Sequence, residues 1–367
     1  MERKSHRAVK FTITSSGEME EFSQKILTWY GTGRRELPWR DIRDPYRIWI
    51  SEIILQQTRV AQGYDYYLRF IDRFPTVEAL AEAEEDEVLR LWQGLGYYSR
   101  ARNLHTAARA IAAAGRFPDT YEGVRALKGV GDYTAAAICS FAYGLPHAVV
   151  DGNVYRVLAR HFGIDTPIDS TAGKKAFAQL AQLLLPPAVP GLYNQALMDF
   201  GALQCVPLSP RCEVCPLADS CMAWAEGRVA QLPVKSKRTA VTERHFVYVY
   251  ARSATNIWLR RRPSGDIWQG LYEPPLAEFE HRPDEEELST HPLLAPMAAA
   301  APLRLVKQGV KHVLTHRRIY ADFYEVTLPA EWQMEGYIAV PEAERDNYAV
   351  PRLVEQLFEE MERLSEQ

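Results

Sequence analysis

The segment Cys205-Val-Pro-Leu-Ser-Pro-Arg-Cys212-Glu-Val-Cys215-Pro-Leu-Ala-Asp-Ser-Cys221 carries four cysteines on one short stretch of chain. A single C-x2-C pair serves zinc sites, disulfide exchange and haem attachment alike. Four thiols without a histidine indicate a closed cage for a soft metal centre. Their spacing differs from the paired knuckles of a zinc ribbon and fits one loop around a [4Fe-4S] cubane. The pattern therefore favours iron–sulfur over zinc, and both over two disulfides.

Size and composition predict two globular domains. A chain of 367 residues is too long for one ordinary core, and 47% hydrophobic with 25% charged residues is typical of a soluble protein. No apolar run is long enough to suggest a membrane span. The first sixteen residues are basic but have no apolar centre, which excludes a secretory signal and leaves a mitochondrial presequence as a minor alternative. The net charge of −4 does not indicate nucleic acid, so DNA binding would depend on local patches and backbone amides.

The periodicity of apolar residues changes along the chain. Up to about residue 225 it is helical, as at Ile50, Ile53 and Ile54, whereas His245–Tyr250 and Arg318–Val326 are rich in the β-branched and aromatic residues of strands. Residues 350–364 are helical again. We predict a multi-domain protein in which an all-α domain precedes an α+β domain. The predicted limits are a tail at 1–17, the helical domain at 18–228 with its cysteine loop at 205–221, a linker at 229–243 and the second domain at 244–367.

Two glycines mark a hairpin between helical segments, in Leu127-Lys-Gly-Val-Gly-Asp-Tyr-Thr-Ala135. Gly129 and Gly131 allow a sharp turn and a close approach to a ligand, and amides at the start of the next helix can bind a phosphate. A plain helix–turn–helix hinge explains this pattern equally well. Farther on, Asp151 emerges from an apolar run at the start of a new helix, where it is either functional or an ordinary N-cap.

A second carboxylate stands out in Ile48-Trp-Ile-Ser-Glu52-Ile-Ile-Leu. Glu52 lies in an otherwise apolar helix, where a carboxyl group is either functional or paired with a cation such as Arg59. A buried glutamate keeps its proton to higher pH, as a general acid near neutrality must. The residue pattern alone leaves both readings open.

The hairpin, Asp151 and the cysteine loop follow the order and spacing of the endonuclease III superfamily of helix-hairpin-helix DNA glycosylases. Leu37-Pro-Trp-Arg40 and the Glu52 helix resemble the adenine DNA glycosylases of the MutY type. The resemblance implies removal of adenine opposite 8-oxoguanine or guanine in duplex DNA. Bifunctional relatives carry a lysine where this chain has Tyr133, which predicts a monofunctional hydrolase. A non-catalytic iron–sulfur DNA-binding protein and a glycosylase for thymine are the alternatives.

The resemblance also implies a role for each site residue. Glu52 protonates adenine at N7, Asp151 faces the oxocarbenium ion, and Tyr133 and Asn153 hold Asp151 and position water. The adenine pocket is formed by Arg35, Leu37, Trp39 and Gln195. The DNA contacts are Gln57, Thr58, Tyr97, Lys128, Gly129 and Gly131, with Gln57 and Tyr97 wedged into the duplex. We expect a monomer in the bacterial cytoplasm, associated with the nucleoid.

The second domain resembles the Nudix-type, MutT-like domain of the same glycosylases, in Trp258–Pro263 and Trp268–Pro275. The magnesium-binding R-E-x-x-E-E pattern of Nudix hydrolases does not occur in residues 276–300, so we expect no pyrophosphohydrolase activity. The resemblance assigns 8-oxoguanine recognition to Leu314, Thr315 and His316. Relatives commonly have Phe-Ser-His there, so Leu314 loses a stacking ring while Thr315 keeps a hydroxyl group.

Overall fold

The computed structural model describes residues 16–236 and 241–366. Most of the predicted tail at 1–17 and the centre of the predicted linker therefore lie outside the described residues. The described chain divides into two compact units, one formed by residues 16–67, 74–78 and 107–236 and the other by residues 68–73, 79–106 and 241–366. Residues 79–106 thus belong, by their contacts, with the strands that follow much later in the chain.

Residues up to 225 form helices. Their bounds are α1 Ser16–Gly33, α2 Pro45–Leu55, α3 Val60–Arg73, α4 Val77–Glu82, α5 Glu85–Trp92, α6 Ser99–Ala114, α7 Tyr121–Arg125, α8 Asp132–Tyr143, α9 Gly152–His161, α10 Thr171–Leu183, α11 Pro190–Leu203 and α12 Met222–Ala225. Short 3-10 turns lie at Cys212–Val214, Ala218–Ser220 and Val229–Gln231. None of the helices in the described ranges combines the length and the apolar character needed to cross a bilayer.

The core of the first unit lies between α1, α9, α10 and α11. Phe22, Ile26 and Tyr30 recur every four residues on one face of α1, and all three are buried. They share one apolar cluster with Leu158 of α9 and Phe200 of α11. Three cysteines of the loop, Cys205, Cys215 and Cys221, pack against this cluster, so the helical core also supports the loop.

The predicted hairpin is present between α7 and α8. Thr120 caps α7 by accepting from the amide of Gly123, and Gly131 is the N-cap residue of α8. Gly129 has a φ of 79°, in the left-handed region that a residue with a side chain seldom adopts. Glycine at this position is therefore required by the turn itself.

The second unit contains a mixed seven-stranded sheet within the described residues. The strands are β1 Thr242–Arg252, β2 Asn256–Arg261, β3 Tyr272–Glu273, β4 Leu276–Phe279, β5 Arg304–Val313, β6 Arg317–Thr327 and β7 Ile338–Pro341, and its C-terminal helices are α13 Glu285–Thr290, α14 Leu294–Ala300 and α15 Arg352–Ser365. The main path of the sheet is β3-β2-β1-β6-β5, with β4 also paired to β1 and β7 to β2. β1 and β6 are parallel, and the other pairs are antiparallel.

Side chains of β1 alternate between the two faces of this sheet. Tyr248 points into a core with Leu357 of α15, while Val249 lies in a second core with Leu294 and Met297 of α14. Both faces are therefore covered by helices. The predicted order, an all-α domain followed by an α+β domain, is confirmed.

Candidate active site and cluster loop

Glu52 is buried in the middle of α2, which packs against α8. Its Oε2 atom accepts a hydrogen bond of 2.7 Å from the hydroxyl group of Tyr133. Burial raises the pKa of the Glu52 carboxyl, and the Tyr133 bond and the nearby Arg40 only partly oppose this shift. The side chain of Arg59 is exposed, and Glu52 binds Tyr133 in place of the ion pair considered above. The carboxyl is thus set up to hold a proton at a pH where free glutamate has lost it.

Asp151 is the N-cap residue of α9, as the simpler reading of the sequence proposed. Its Oδ1 accepts from the amides of Asn153 at 2.8 Å and Val154 at 2.7 Å. Its Oδ2 accepts from the Asn153 side-chain amide at 2.8 Å. Burial raises the pKa of Asp151, and these hydrogen bonds only partly oppose that shift. A cap alone requires one oxygen, so the second bond fixes the orientation of the whole carboxylate.

The hydroxyl group of Tyr133 and the amide of Asn153 therefore serve different carboxylates. The resemblance implied that both hold Asp151, but Tyr133 donates to Glu52 and Asn153 donates to Asp151. Electrostatic repulsion from Asp151 raises the pKa of Glu52 further, which couples the two carboxyl groups. One group favoured as the neutral acid beside one fixed by hydrogen bonds is the arrangement expected for two different catalytic roles.

Asn153 also connects Asp151 to the cysteine loop through Arg156, a buried side chain on α9. The Nη2 atom of Arg156 donates to Asn153 Oδ1 at 2.8 Å, and its Nε donates to the carbonyl of Cys205 at 2.7 Å. One turn later, Arg160 donates to Cys205 Sγ at 3.4 Å and to the Val206 carbonyl at 2.8 Å. The loop is therefore braced by two buried guanidinium groups.

All four loop cysteines line one small cavity, together with Arg160. Within residues 16–236 and 241–366, no three His, Cys, Asp or Glu side chains lie close enough to hold a single metal ion. Burial raises the pKa of the Cys215 thiol to about 11, and a thiol must lose its proton to become a metal ligand. Four thiols around a shared space, with Arg160 beside them, fit a polynuclear iron–sulfur cluster.

The predicted adenine pocket is organised by a residue that the sequence analysis did not single out. Asp199 on α11 is fully buried and forms ion pairs with both Arg35 and Arg40. The Arg40 Nη2 atom lies 3.1 Å from Asp199 Oδ1. Because the two arginines share one buried carboxylate, their positions depend on each other.

The other predicted pocket residues lie on the same two segments as this ion-pair cluster, Gln195 on α11 and both Leu37 and Trp39 between Arg35 and Arg40. Gln195 is one helical turn before Asp199 and accepts from the Tyr30 hydroxyl at 3.4 Å. Trp39 is buried against Tyr67, with the ring centroids 5.0 Å apart. Leu37 is partly exposed, and its carbonyl accepts from the amide of Arg40 at 2.9 Å. The structure thus brings residues from the Arg35–Arg40 loop and from α11 together in the first unit.

The two predicted wedge residues both have left-handed backbones. Gln57 has a φ of 58° and Tyr97 a φ of 47°, and both side chains are exposed. Such conformations are costly for residues with side chains and concentrate at functional sites. Thr58 follows Gln57, two residues before α3 begins, and its hydroxyl group lies 3.4 Å from the Gln56 carbonyl.

The hairpin presents an open surface. Lys128 is exposed, and a Cβ atom added at Gly131 would meet no other protein atom within 4 Å. Gly131 has an ordinary φ of −95°, so neither packing nor backbone geometry requires glycine there. The space in front of the α8 N-terminus is free for a ligand.

In the second unit, Tyr97 and the predicted recognition loop are in direct contact. The hydroxyl groups of Tyr97 and Thr315 form a hydrogen bond. Both residues line a cleft of about 620 Å³, together with Leu314, His316 and Trp268. Trp268 also has a positive φ, of 59°. The cleft brings three predicted recognition residues to one surface with one predicted wedge.

Four residues of the site were missed: Asp199, Arg40, Arg156 and Arg160. Asp199, Arg156 and Arg160 are charged residues within helical segments, as Glu52 is, whereas Arg40 lies in a loop among other charged residues and gives no such signal. Asp199 follows Ala196-Leu-Met in a helix that is otherwise almost without charge. Asp199 therefore gives the same sequence signal as Glu52, a single carboxyl group in a largely apolar helix.

Three family models match this chain. Residues 50–185 match the HhH-GPD superfamily of base excision DNA repair proteins. Residues 205–221 match the iron–sulfur binding domain of endonuclease III, and residues 246–360 match a NUDIX domain. The chain therefore carries the iron–sulfur binding loop of that family, and the predicted fold of each domain is confirmed.

Proteins named adenine DNA glycosylase are similar to this chain, some over about half of its length and others over most of it. The one from Buchnera aphidicola (Acyrthosiphon pisum) is 35% identical over 68% of this chain and 73% of its own length. The human one is 44% identical over 56% of this chain and 40% of its own length. The one from Schizosaccharomyces pombe is 29% identical over 92% of this chain and 88% of its own.

Two solved structures share the helical fold. A thermostable thymine-DNA glycosylase is 32% identical, with a TM-score of 0.52, and matches 58% of this chain and 100% of its own. An endonuclease III bound non-covalently to DNA has a TM-score of 0.51 at 21% identity, over 59% of this chain and 99% of its own, and shows the fold alone. The chain covers 73% of the length of the Buchnera relative. It also carries the hairpin, the cysteine loop and the NUDIX domain in this order. The chain therefore belongs to the adenine DNA glycosylase family of the HhH-GPD superfamily.

Proposed function

We propose that this protein is a monofunctional DNA glycosylase that hydrolyses the N-glycosidic bond of adenine opposite 8-oxoguanine or guanine in duplex DNA. The observation that carries the proposal is the pair of carboxyl groups in the first unit, the protonation-prone Glu52 and the oriented Asp151. The adenine DNA glycosylases to which the chain is similar supply the choice of base.

Glu52 is the general acid in this mechanism. Adenine is a poor leaving group as an anion, and protonation at N7 lets it leave as a neutral base. Burial keeps the proton on Glu52, and the Tyr133 hydroxyl group, by donating to Oε2, leaves Oε1 as the oxygen for proton transfer. Tyr133 thereby orients the acid.

Asp151 stabilises the positive charge that develops on the sugar as the bond breaks. A fixed carboxylate lowers the energy of an oxocarbenium ion without reorganising, either electrostatically or through a transient covalent acetal. Asn153 and the α9 amides hold this carboxylate in one orientation. The α9 N-terminus also favours its negative charge.

The adenine must leave the base stack, because the glycosidic bond is unreachable inside a duplex. We propose that it enters the pocket formed by Arg35, Leu37, Trp39 and Gln195. Asp199 forms ion pairs with both Arg35 and Arg40 and thereby fixes their positions. We propose that the exposed side chains of Gln57 and Tyr97 wedge into the duplex. Thr58, next to Gln57, contacts the DNA.

DNA phosphates bind at the hairpin. The open space at Gly131 lets a phosphate approach the α8 amides, and Lys128 supplies a positive charge close by. Glu52 lies on α2, which packs against α8, and Asp151 begins α9, the helix after α8, so anchoring the DNA backbone at the α8 N-terminus positions the sugar.

We assign a [4Fe-4S] cluster to Cys205, Cys212, Cys215 and Cys221. When bound, the cluster orders residues 205–221 as a DNA-contacting loop, since glycosidic hydrolysis consumes no electrons. The purified protein should be brown and contain about four irons and four sulfides per chain. Stoichiometric zinc, in protein prepared with adequate iron, would contradict this assignment.

Substitutions at Tyr133 test whether the protein only hydrolyses the glycosidic bond or also cleaves the DNA strand. Because no lysine stands at this position, the product should be an intact abasic strand that breaks only on heating or with alkali. Tyr133→Lys should gain some strand-cleaving activity, since its amine would replace a hydroxyl group that contacts the general acid. Tyr133→Phe is the matched control and should gain none. Efficient trapping of the unmodified protein on DNA by borohydride would contradict the monofunctional assignment.

The second unit reads the base opposite the adenine. 8-Oxoguanine differs from guanine at its C8 oxygen and N7 hydrogen, so a reader needs polar groups directed at that edge. Thr315 and His316 supply them beside Tyr97. Thr315→Ala with His316→Ala should reduce the preference for 8-oxoguanine roughly five- to a hundredfold, because a base-edge contact is typically worth about 1–3 kcal/mol.

The readout is the ratio of single-turnover rates opposite 8-oxoguanine and opposite guanine. Thr315→Ser retains the hydroxyl group and should keep most of the preference. Equal slowing of the double variant on both substrates would mean that the loop contributes only general affinity. In that case lesion reading by Leu314–His316 fails, while adenine excision by the first unit stands.

A further inference from the structure

The loop that carries Tyr97 is held in an unusual conformation. Gly94 has a φ of 91°, Gly96 a φ of 70° and Tyr97 a φ of 47°, so left-handed residues follow one another closely. A flexible segment would relax from such a conformation at Tyr97, where it costs energy. Other groups must therefore maintain it.

Arg100, on the first turn of α6, contacts this loop at several points. Its Nη2 atom donates to the carbonyls of Leu95 and Gly96, each at 3.2 Å. Its guanidinium carbon lies 5.2 Å from the centroid of the Trp92 ring and 5.6 Å from that of Tyr97. Trp92 also donates to the Gly96 carbonyl, at 3.1 Å. Arg100 thus contacts both the backbone carbonyls of the loop and the aromatic rings of Trp92 and Tyr97.

The environment of Arg100 suits this role better than a contact with DNA. Burial lowers its pKa to about 10, which still leaves the group charged at neutral pH. Its Nη2 atom is directed at two backbone carbonyls within its own unit. A guanidinium can donate in its plane while its face stacks on a ring, which an ammonium group cannot do.

We infer that Arg100 is a positioning residue that keeps Tyr97 in the conformation in which its ring enters the duplex. The inference rests on the proposed wedge role of Tyr97. A preorganised wedge does not have to order its loop when it inserts, so the loss of Arg100 slows the step that separates the strands beside the mispair.

The test uses the full chain and a duplex with 2-aminopurine next to the base opposite the adenine. This probe brightens when a wedge unstacks it. Arg100→Lys retains the charge but not the planar fork, and Arg100→Met removes both. Arg90→Met, at an exposed position of α5, is the control for loss of a surface charge. Active-site titration counts the folded enzyme in every preparation.

We expect both Arg100 variants to lose most of the fluorescence increase. Both should excise adenine roughly tenfold more slowly, whichever base is opposite, as for a lost hydrogen bond to a charged donor. The salt dependence of their DNA binding should remain that of the wild type. Wild-type fluorescence and rate in Arg100→Lys would overturn the inference. A weaker salt dependence in Arg100→Met alone would assign Arg100 to a phosphate contact instead.

Tyr97→Ala separates this inference from the proposed function. If Tyr97→Ala leaves the fluorescence increase intact, Tyr97 is not the wedge and that part of the proposed function fails. If Tyr97→Ala abolishes the increase while Arg100→Lys retains it, Tyr97 remains the wedge and only the role of Arg100 is wrong.

Discussion

Glu52→Gln lowers the single-turnover rate of adenine excision at least a hundredfold, because general acid catalysis is typically worth about 10²–10⁴ in rate. Glutamine fills the same space and can still accept from Tyr133, so the change removes the transferable proton and little else. Binding of mispaired duplex should remain near the wild-type value, since phosphate contacts supply most of the affinity. Glu20→Gln, an exposed carboxyl on α1, is the matched control and should have the wild-type rate.

The pH profile gives Glu52 an independent signature. Burial raises the pKa of Glu52, so its protonated form persists above the pH at which a free glutamic acid ionises. The excision rate should fall as the pH rises through that pKa, and Glu52→Gln should lack this decline. A wild-type rate in Glu52→Gln would remove this residue from the active site.

Asp151→Asn should also lower the single-turnover rate at least a hundredfold, because the charge that faces the oxocarbenium ion is lost. Asparagine caps helices about as well as aspartate, so α9 should keep its N-terminus and the protein its stability. This substitution therefore separates the two roles of Asp151, as cap and as catalytic carboxylate.

Thermal unfolding and excision should respond differently to substitutions at Asp151. Asp151→Asn should unfold near the wild-type temperature but be almost inactive, whereas Asp151→Ala should lose both activity and about 1 kcal/mol of stability from the missing cap. If Asp151→Asn were active, the only role of Asp151 would be to cap α9. The proposed mechanism would then lack its second carboxylate.

Part of the site could be predicted because some side chains differ in type from the residues around them. Glu52 stands out in an apolar helix, and the cysteines stand out by their spacing. Asp199 gives the same signal as Glu52, in a helix that is nearly uncharged. These features lie within short segments, so the hydrophobic periodicity and the composition of each segment are enough to find them.

The remaining features depend on tertiary contacts. Tyr97 and Thr315 are 218 residues apart, and their hydrogen bond follows from residues 79–106 belonging with the strand-containing unit. Likewise, Arg156 reaches Cys205 across 49 positions. A helical pattern shows that Tyr133 lies on α8 but not that its hydroxyl group binds Glu52 rather than Asp151.

The most direct test of the proposed chemistry is a strand-cleavage assay on duplexes with adenine opposite 8-oxoguanine, guanine, cytosine or thymine, and with thymine opposite guanine. Each is analysed with and without alkali. The proposed function predicts alkali-dependent cleavage at adenine, fastest opposite 8-oxoguanine and slower opposite guanine, and intact thymine. Cleavage at thymine with adenine spared, or no cleavage of any duplex by protein that binds DNA and contains iron, would contradict it.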